Sequence, residues 1–446
     1  MADKPLAANS RKYHHKTRRG CVACKQRRIK CDEKKPVCTN CSKKSIECSF
    51  VHLVPASILR KLQFQRSQPD GLTIQQPTDL RAGLFCRPDS FDFALFNRYI
   101  SHTSHMISQR QNGMEIYTSV IPKLALLNPS LGHAVLATAY GHLARSMPQT
   151  EMAAKYLTDS AFHMNTTLAC YSQAISSLSK ENTPTVFANS VLISLYVFLS
   201  SGIEYEEILS RLSLANNRDP NLLDHLLCIA VRMIHGTRGV FSVFWSTQEW
   251  IATSHLSPLI QRHNPIRDTA PHLFWAQIED QHLANLQNLW ERDASVSSHR
   301  SYILSQSLHS LRHTFSLTTR LYVFPPETDE RYSSVEPISL KEIHQVLCGG
   351  MLDDLPSVFT WYIRASAPFV SMLGQGDPFA VVIWAHHAIL LDRACGKNWW
   401  FCDLASKFIS AALLILGEER RSWIEWPLSV AGSGSRLAVE KTQSID

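Results

Sequence analysis

The chain has 446 residues, of which 45% are hydrophobic and 19% charged, and its formal net charge is +7. This length has room for about three domains of ~150 residues, and the composition excludes a wholly disordered protein, a collagen and a small disulfide-rich toxin. The longest apolar runs, 191–199, 380–391 and 408–417, fall short of the ~18–20 uninterrupted apolar residues of a membrane span. The first twenty residues lack the apolar stretch of a secretory signal. We therefore expect an intracellular protein with no membrane span.

The positive charge is concentrated at the start of the chain. Residues 1–50 carry a net charge of +10, whereas residues 51–446 sum to −3. A block of this kind usually contacts a polyanion. We interpret residues 1–18 as a basic arm that lies along phosphates, directs nuclear import, or does both. A solvated, flexible arm without a partner is the alternative.

Six of the twelve cysteines fall within 28 residues, in the pattern C-x2-C-x6-C-x6-C-x2-C-x6-C. Disulfides are disfavoured because intracellular thiols stay reduced. Zn2+ prefers four thiolates in a tetrahedron, and six cysteines can serve two such ions only if two of them are shared. One zinc ion with two spare cysteines, or a RING or LIM cross-brace, would be the alternatives, but those cross-braced folds use eight ligands with other spacings. The predicted ligands are Cys21, Cys24, Cys31, Cys38, Cys41 and Cys48.

Residues 19–50, RGCVACKQRRIKCDEKKPVCTNCSKKSIECSF, resemble the fungal Zn2Cys6 binuclear-cluster DNA-binding domain. The resemblance extends to every cysteine spacing, to the basic run before Cys31 and to Pro36. It implies two Zn2+ ions, with Cys21 and Cys38 bridging both. By the same resemblance Cys24 and Cys31 complete the coordination of one zinc ion, and Cys41 and Cys48 complete that of the other.

The resemblance also implies how double-stranded DNA would be bound. In the family the residues between the second and third cysteines form a short helix that points into the major groove, where Arg or Lys bonds guanine. Arg28 stands where the family has its base-reading lysine, and it keeps the charge while adding a forked donor. The remaining predicted contacts, to phosphates, are Lys25, Arg27, Lys30, Arg18 and Arg19.

Residues 51–88 are rich in polar and turn-forming side chains and are predicted to be a linker. Family members often dimerise through a coiled coil at this point. Ile58, Leu59 and Leu62 could share a helix face, but they span fewer than two heptads, and three or four are needed. Homodimerisation is therefore an expectation from the resemblance and not from the pattern.

Residues 89–430 are predicted to form a large all-α domain, followed by a flexible tail at 431–446. Several helix starts pair a capping residue with proline at the first helical position, as in Asn128-Pro129, Asp219-Pro220 and Asp377-Pro378. The predicted helices include 184–200, 220–235, 240–253, 355–372 and a helix at 378–394 that is apolar nearly all round and therefore central.

The helical part carries a second resemblance, to the regulatory domain of the sterol uptake control type of fungal transcription factors. It rests on NPSLGHAVLATAYGHLA (128–144), RGVFSVFWSTQEWI (238–251), FAVVIWAHHAILLDRACGKNWWFCDLA (379–405) and WIEWPL (423–428). In that subfamily an apolar pocket binds sterol, and its occupancy controls nuclear entry or activation. Trp399, Trp400 and Phe401 are candidate pocket or lid residues, with ordinary core packing as the alternative. No ligand residue can be assigned from these segments.

No P-loop, GxGxxG, GxSxG or HExxH motif is present in the sequence, so we do not expect an enzyme. The sequence predicts a zinc-dependent, nuclear regulator of RNA polymerase II transcription, with a cytoplasmic pool if the helical domain senses a sterol or another lipid. The alternative is a pathway-specific regulator, for example of a secondary-metabolite gene cluster, whose helical domain only serves dimerisation or cofactor docking.

Overall fold

The computed structural model describes residues 24, 27, 29–32, 38–44, 91–108, 110–147, 150–215, 219–261, 266–268, 272–324, 339–352, 354–395, 398–401 and 403–431. The chain divides into two compact units, Met1–Pro55 and Ala56–Asp446. The predicted basic arm, linker and C-terminal tail lie outside the described residues, apart from Ala431. The boundaries proposed for them stay predictions.

The described part of the chain is almost entirely helical, which confirms the all-α prediction. The helices are α1 Thr39–Ser42, α2 Phe91–Arg98, α3 Gln111–Glu115, α4 Ile121–Leu127, α5 Pro129–Ser146, α6 Glu151–Ala174, α7 Thr183–Ala215, α8 Pro220–Ala252, α9 His272–Asn285, α10 Asn288–Glu291, α11 Ser298–Thr319, α12 Leu340–Gly349, α13 Thr360–Arg364, α14 Ala367–Gly374, α15 Pro378–Ala394, α16 Leu404–Leu416 and α17 Glu425–Val430. Two π-helical turns, Tyr99–Thr103 and Ile116–Val120, and short 3-10 turns connect them. Strands β1 Tyr322–Val323 and β2 Met351–Leu352 pair antiparallel, with Tyr322 opposite Leu352.

The predicted proline-led helix starts are present where the sequence placed them. Asn128 Oδ1 accepts a hydrogen bond from the backbone N–H of Leu131. Asp377 Oδ1 accepts from the N–H groups of both Phe379 and Ala380. These caps satisfy backbone donors that the first turn of a helix leaves unpaired.

Helix α15 is the centre of the larger unit. Every residue from Phe379 to Ala394 is buried. A helix that is apolar nearly all round is stable only when other helices cover it on every side, so the sequence pattern and the position agree.

Helices α7 and α8 are longer than the sequence predicted. A single helix replaces the predicted pair 220–235 and 240–253, and the segment between the two predicted helices contains Gly236 and Gly239. A Cβ atom at Gly236 would lie 3.1 Å from Cγ1 of Val197 on α7, so this glycine serves the close approach of two helices rather than a break. The predicted helix 355–372 is instead three segments, a 3-10 turn at Leu355–Phe359 followed by α13 and α14.

On length and composition, the segments Thr183–Ser213 and Pro220–Ala252 could each cross a membrane. The apolar windows that give this result are 78% and 44% buried inside the fold. Core helices of this length produce the same signal, so it is weak evidence for a membrane span. The expectation of no span stays a prediction.

A buried polar network joins α15 to three of the helices around it. The Nε2 atom of His344, on α12, lies 3.0 Å from an oxygen of the Asp392 carboxylate. The Nδ1 atom of the same ring accepts a hydrogen bond from Nε of Arg393. Arg393 also pairs with Glu279 of α9, whose other oxygen accepts from Thr319 of α11. Buried polar groups need such partners, so the network fixes how these helices dock.

Candidate metal centre and apolar cavity

Four of the six predicted zinc ligands fall within the described residues, and all four are buried: Cys24, Cys31, Cys38 and Cys41. The thiols of Cys24, Cys38 and Cys41 all lie within 4.8 Å of one another, and the Sγ atoms of Cys24 and Cys38 are 3.5 Å apart. The Cys31 thiol lies within the same limit of Cys38. Cys38 is therefore adjacent to every other described cysteine of the cluster. Cys21 and Cys48 lie outside the described residues.

The backbone around Cys38 explains its central position. Cys38 is the N-cap of α1, and its Sγ accepts a hydrogen bond from the N–H of Cys41 at 3.4 Å. Asp32, directly after Cys31, accepts from the N–H of Thr39 with both carboxylate oxygens, at 3.0 and 3.2 Å. Asn40 donates to the carbonyl oxygen of Lys30 at 2.7 Å. These bonds tie the first cysteine half-motif to the second.

The donor set suits zinc. Four close thiols, with one of them near all the others, are what a thiolate cluster with shared ligands requires. Asp32 also lies within 4.8 Å of Cys31 and Cys38, but its carboxylate is bound to Thr39 and exposed. Zinc bound here would supply most of the folding energy of so small a unit.

Few of the predicted DNA contacts can be located. Lys30 is exposed, and Arg27 is half-buried. Lys43 and Lys44, directly after α1, are exposed as well. Lys25, Arg28, Arg18 and Arg19 lie outside the described residues.

A second group of metal-type side chains, His344, Cys348 and Asp392, lies within the larger unit. Because Arg393 Nε can only donate, the Nδ1 atom of His344 must accept, and the ring proton is on Nε2. That N–H points to Asp392 and lies 3.3 Å from Cys348. A metal ion at Nε2 would have to displace this proton beside a guanidinium, so we assign the group to the polar network.

The larger unit also contains a cavity of about 690 Å³ with mostly apolar walls. One wall is α8, which contributes Val240, Phe241, Phe244 and Trp245 from the segment 238–251. Trp400 closes another side, whereas Trp399 and Phe401 are not in the wall. Trp399 instead packs on His142, with ring centroids 4.3 Å apart. Of the three aromatic residues that the sequence suggested, only Trp400 faces the cavity.

The rest of the wall comes from segments that the sequence gave no reason to combine. They are the stretch that begins at Ile107 and ends at Tyr117, the first half of α7, the turn at 258–261, Leu317 of α11, and the segment from Asp354 to Arg364. Burial raises the pKa of Tyr117, so its hydroxyl stays neutral in the wall. No local motif marks these residues, because only the packing of α7 and α8 brings them together.

Comparison with known proteins identifies the N-terminal unit. The family model described as "Fungal Zn(2)-Cys(6) binuclear cluster domain" matches residues 19–54. Residues 19–54 are a fungal Zn(2)-Cys(6) binuclear cluster domain. A binuclear cluster of this kind binds two zinc ions, so the prediction of two Zn2+ is confirmed, as is the resemblance to fungal Zn2Cys6 transcription factors.

Three relatives show how far this similarity extends. "Sterol uptake control protein 2" of Candida albicans is 52% identical over 46 residues, which are 10% of this chain and 6% of that protein. An uncharacterised transcriptional regulatory protein of Schizosaccharomyces pombe is 33% identical over 150 residues, 29% of this chain and 25% of its own length. A Zn(2)-C6 fungal-type transcription factor of Aspergillus fumigatus is 27% identical over 141 residues, 30% of this chain and 35% of that protein. The chain thus matches about a third or less of each of these relatives.

Proposed function

We propose that this protein is a zinc-dependent, sequence-specific DNA-binding regulator of RNA polymerase II transcription that acts in the nucleus. The observation that carries the proposal is the zinc cluster domain at residues 19–54, in which Cys38 lies beside Cys24, Cys31 and Cys41. Two of the three relatives are transcription regulators by name, which supports the same role. The net charge of +10 over residues 1–50 supplies the attraction to DNA.

In the proposed mechanism zinc organises the domain and the basic side chains contact DNA. Zinc, when bound, holds the thiolates of the cluster together and stabilises the fold. Arg28 reads a guanine in the major groove, and Lys25, Arg27, Lys30, Arg18 and Arg19 contact phosphates. Phosphate contacts set the register of the protein on the duplex but do not discriminate between sequences.

We also propose that the larger unit senses a sterol or another lipid, and that ligand occupancy controls nuclear entry or activation. Two observations support this role: the cavity of about 690 Å³, and the wall that the segment 238–251 contributes to it. Cavities of about 300–1,000 Å³ with apolar walls are typical of small-molecule sites. If ligand occupancy controls nuclear entry, one of the two states, unliganded or liganded, forms a cytoplasmic pool of the protein.

The DNA-binding role is tested by a binding selection with the full chain on a random duplex pool, with zinc and with a chelator. We expect zinc-dependent enrichment of a guanine-containing site. Two copies of that site at a constant spacing would indicate a homodimer on DNA, and a single copy a monomer. Enrichment that is equal with and without the chelator, or no enrichment, would contradict the proposal.

A further inference from the structure

Two side chains form hydrogen bonds across the two cysteine half-motifs, in opposite directions. Asp32 follows Cys31 in the first half-motif, and its carboxylate accepts from the backbone N–H of Thr39 in the second, at 3.0 and 3.2 Å. Asn40 belongs to the second half-motif, and its Nδ2 donates to the carbonyl oxygen of Lys30 in the first, at 2.7 Å. Each half-motif thus contributes one side chain that binds the backbone of the other. We name these two contacts the Asp32–Asn40 clamp.

The clamp fixes the direction of the backbone, which zinc alone does not. A metal–thiolate bond fixes the position of a sulfur atom, but a cysteine side chain can reach that position from several rotamers. The clamp instead binds backbone groups directly. Lys30 and Asp32 flank Cys31, and Thr39 and Asn40 lie between Cys38 and Cys41. Hydrogen bonds beside a metal centre orient the segments that carry its ligands.

The segments that the clamp joins carry exposed basic side chains. Lys30 is exposed, and its carbonyl oxygen is bound by the clamp. Lys43 and Lys44 are exposed directly after α1, and the clamp binds the N–H of Thr39, the first residue of that helix. The N–H of Lys43 donates in turn to the carbonyl oxygen of Thr39 at 2.9 Å. The clamp therefore sets the orientation of one basic segment relative to the other.

The charge of Asp32 makes its contribution to DNA binding measurable. Asp32 is exposed, and residues 1–50 carry a net charge of +10. A carboxylate in such a unit repels DNA phosphates, so on charge alone its removal should strengthen DNA binding. If the carboxylate aligns the basic segments, its removal should weaken binding instead. The two effects have opposite signs, so one experiment separates them.

We propose that Asp32 and Asn40 are positioning residues for DNA binding. They hold Lys30 and α1 in one orientation, so that basic side chains of both half-motifs contact the phosphates of one site at the same time. Such preorganisation strengthens binding because less conformational freedom is lost when the contacts form. The inference rests on the proposed DNA-binding function and deepens it, because it names two residues that act through the basic side chains.

Two variants each remove one contact of the clamp, and two others serve as controls. Asp32→Ala raises the net charge by one, whereas Asn40→Ala leaves it unchanged. Glu33, the next residue after Asp32, lies outside the described residues, and Glu33→Gln removes the same negative charge as Asp32→Ala. Thr39→Ala changes a side chain of α1 but retains the backbone N–H that Asp32 binds.

The experiment measures binding of the full chain to the duplex selected from the random pool, at saturating zinc and at several salt concentrations. We expect about three- to tenfold weaker binding in Asp32→Ala and Asn40→Ala, unchanged binding in Thr39→Ala, and equal or tighter binding in Glu33→Gln. Metal analysis should find two zinc ions per chain in all four variants.

The salt dependence of Asn40→Ala gives a readout that a purely structural role would not change. This variant loses no charge, so its charged groups are those of the wild type. We expect the slope of log affinity against log salt to become shallower by about one, because one phosphate contact fewer forms at the same time. An unchanged slope together with unchanged affinity would overturn the inference.

The remaining outcomes distinguish this inference from the proposed function. If the wild-type chain selects no site, the DNA-binding function is wrong and the inference with it. If the wild type binds and Asp32→Ala binds more tightly, as Glu33→Gln does, Asp32 acts through its charge alone and the inference is overturned. Loss of zinc in both clamp variants would also overturn it, since the two residues would then support the metal site itself. If only one variant loses zinc, the affinity and the salt slope of the other decide.

Discussion

Arg393 and Glu279 form an ion pair in the interior of the larger unit. Their Nη2 and Oε1 atoms are 2.5 Å apart, and the side chains are only 1% and 0% exposed. Thr319 donates to the second carboxylate oxygen of Glu279 at 2.6 Å. Helices α9, α11 and α15 thus meet at one buried carboxylate.

Removing one charge of this pair should be far more damaging than removing a surface charge. Glu279→Gln leaves the guanidinium of Arg393 buried without its counter-charge, so we expect a loss of about 3–5 kcal/mol in the free energy of unfolding. Glu418→Gln, in the exposed pair with Arg421, should cost at most about 1 kcal/mol. Urea unfolding measures the loss in the free energy of unfolding for each variant. Similar losses would show that the buried ion pair does not stabilise the packing of these helices.

The stability of the protein should fall in mild acid. Burial lowers the pKa of both His386 and His387 from 6.5 to about 4. Between pH 6.5 and about 4 the unfolded chain therefore binds protons that the folded chain does not, so the free energy of unfolding decreases as the pH decreases. Each group contributes about 3 kcal/mol of this loss once the pH is below 4.

The variant His386→Asn keeps a donor near the carbonyl oxygen of Val382, which the His386 ring contacts at 2.8 Å, but it no longer titrates. Its free energy of unfolding should depend less steeply on pH between 4 and 6.5. The exposed His299→Asn variant is the control. An unchanged slope in His386→Asn would show that this ring does not cause the acid sensitivity.

Zinc binding should depend on Cys38 more than on cysteines elsewhere. Because Cys38 lies beside Cys24, Cys31 and Cys41, Cys38→Ala should remove both zinc ions and unfold the small unit. Cys170→Ala, which replaces a free thiol of helix α6, should leave the zinc content at two ions per chain. Metal analysis of the purified proteins tests this, and two retained ions in Cys38→Ala would exclude a shared ligand at this position.

The proposed roles of the basic residues differ in a measurable way. Arg28→Ala should cost about 1–3 kcal/mol of binding and relax the preference at one guanine. Lys30→Ala, which removes an exposed charge that is proposed to contact a phosphate, should weaken binding to all sequences about equally. Binding to the selected site and to single-base variants separates the two effects. A uniform loss in Arg28→Ala would overturn its assignment to base reading.

Two glycines of the larger unit should respond to alanine with opposite signs. A Cβ atom at Gly141 would lie 2.3 Å from Cδ2 of Leu199, which is buried in the core, so Gly141→Ala should destabilise the fold by up to about 2 kcal/mol. A Cβ atom at Gly239 meets no atom within 4 Å, so Gly239→Ala should stabilise helix α8 by up to about 1 kcal/mol. Thermal unfolding of both variants measures the difference, and a stabilised Gly141→Ala would mean that Leu199 is free to move.

Residues close in sequence could be interpreted without the tertiary structure. The zinc cluster is such a case, because six thiols within 28 residues have few other uses inside a cell. The helix starts are another, since Asn128 and Asp377 cap their own first turns through local bonds. The pattern of 378–394, apolar nearly all round, likewise indicated a central helix.

The outcome at Gly236 required the tertiary structure. The sequence predicted two helices, 220–235 and 240–253, on either side of a segment that contains Gly236 and Gly239, and glycine lowers helix propensity. Only the packing against Val197 shows why the helix continues and why a side chain would be unfavourable at that position. The packing energy between α7 and α8 exceeds the cost of the low helix propensity of glycine. The local sequence pattern does not show that these two helices pack together.

The sequence by itself predicted the zinc cluster and the helical class, because thiolate chemistry and helix capping act over a few neighbouring residues. The tertiary structure decided that Trp400 and Ser357 line one cavity while Trp399 does not. Ser357 and Trp400 are tens of positions apart in the sequence, whereas Trp399 and Trp400 are adjacent. Neither separation in sequence indicates which side chains meet. Their positions follow from how α7, α8 and α13 pack, and that packing depends on contacts made along the whole chain.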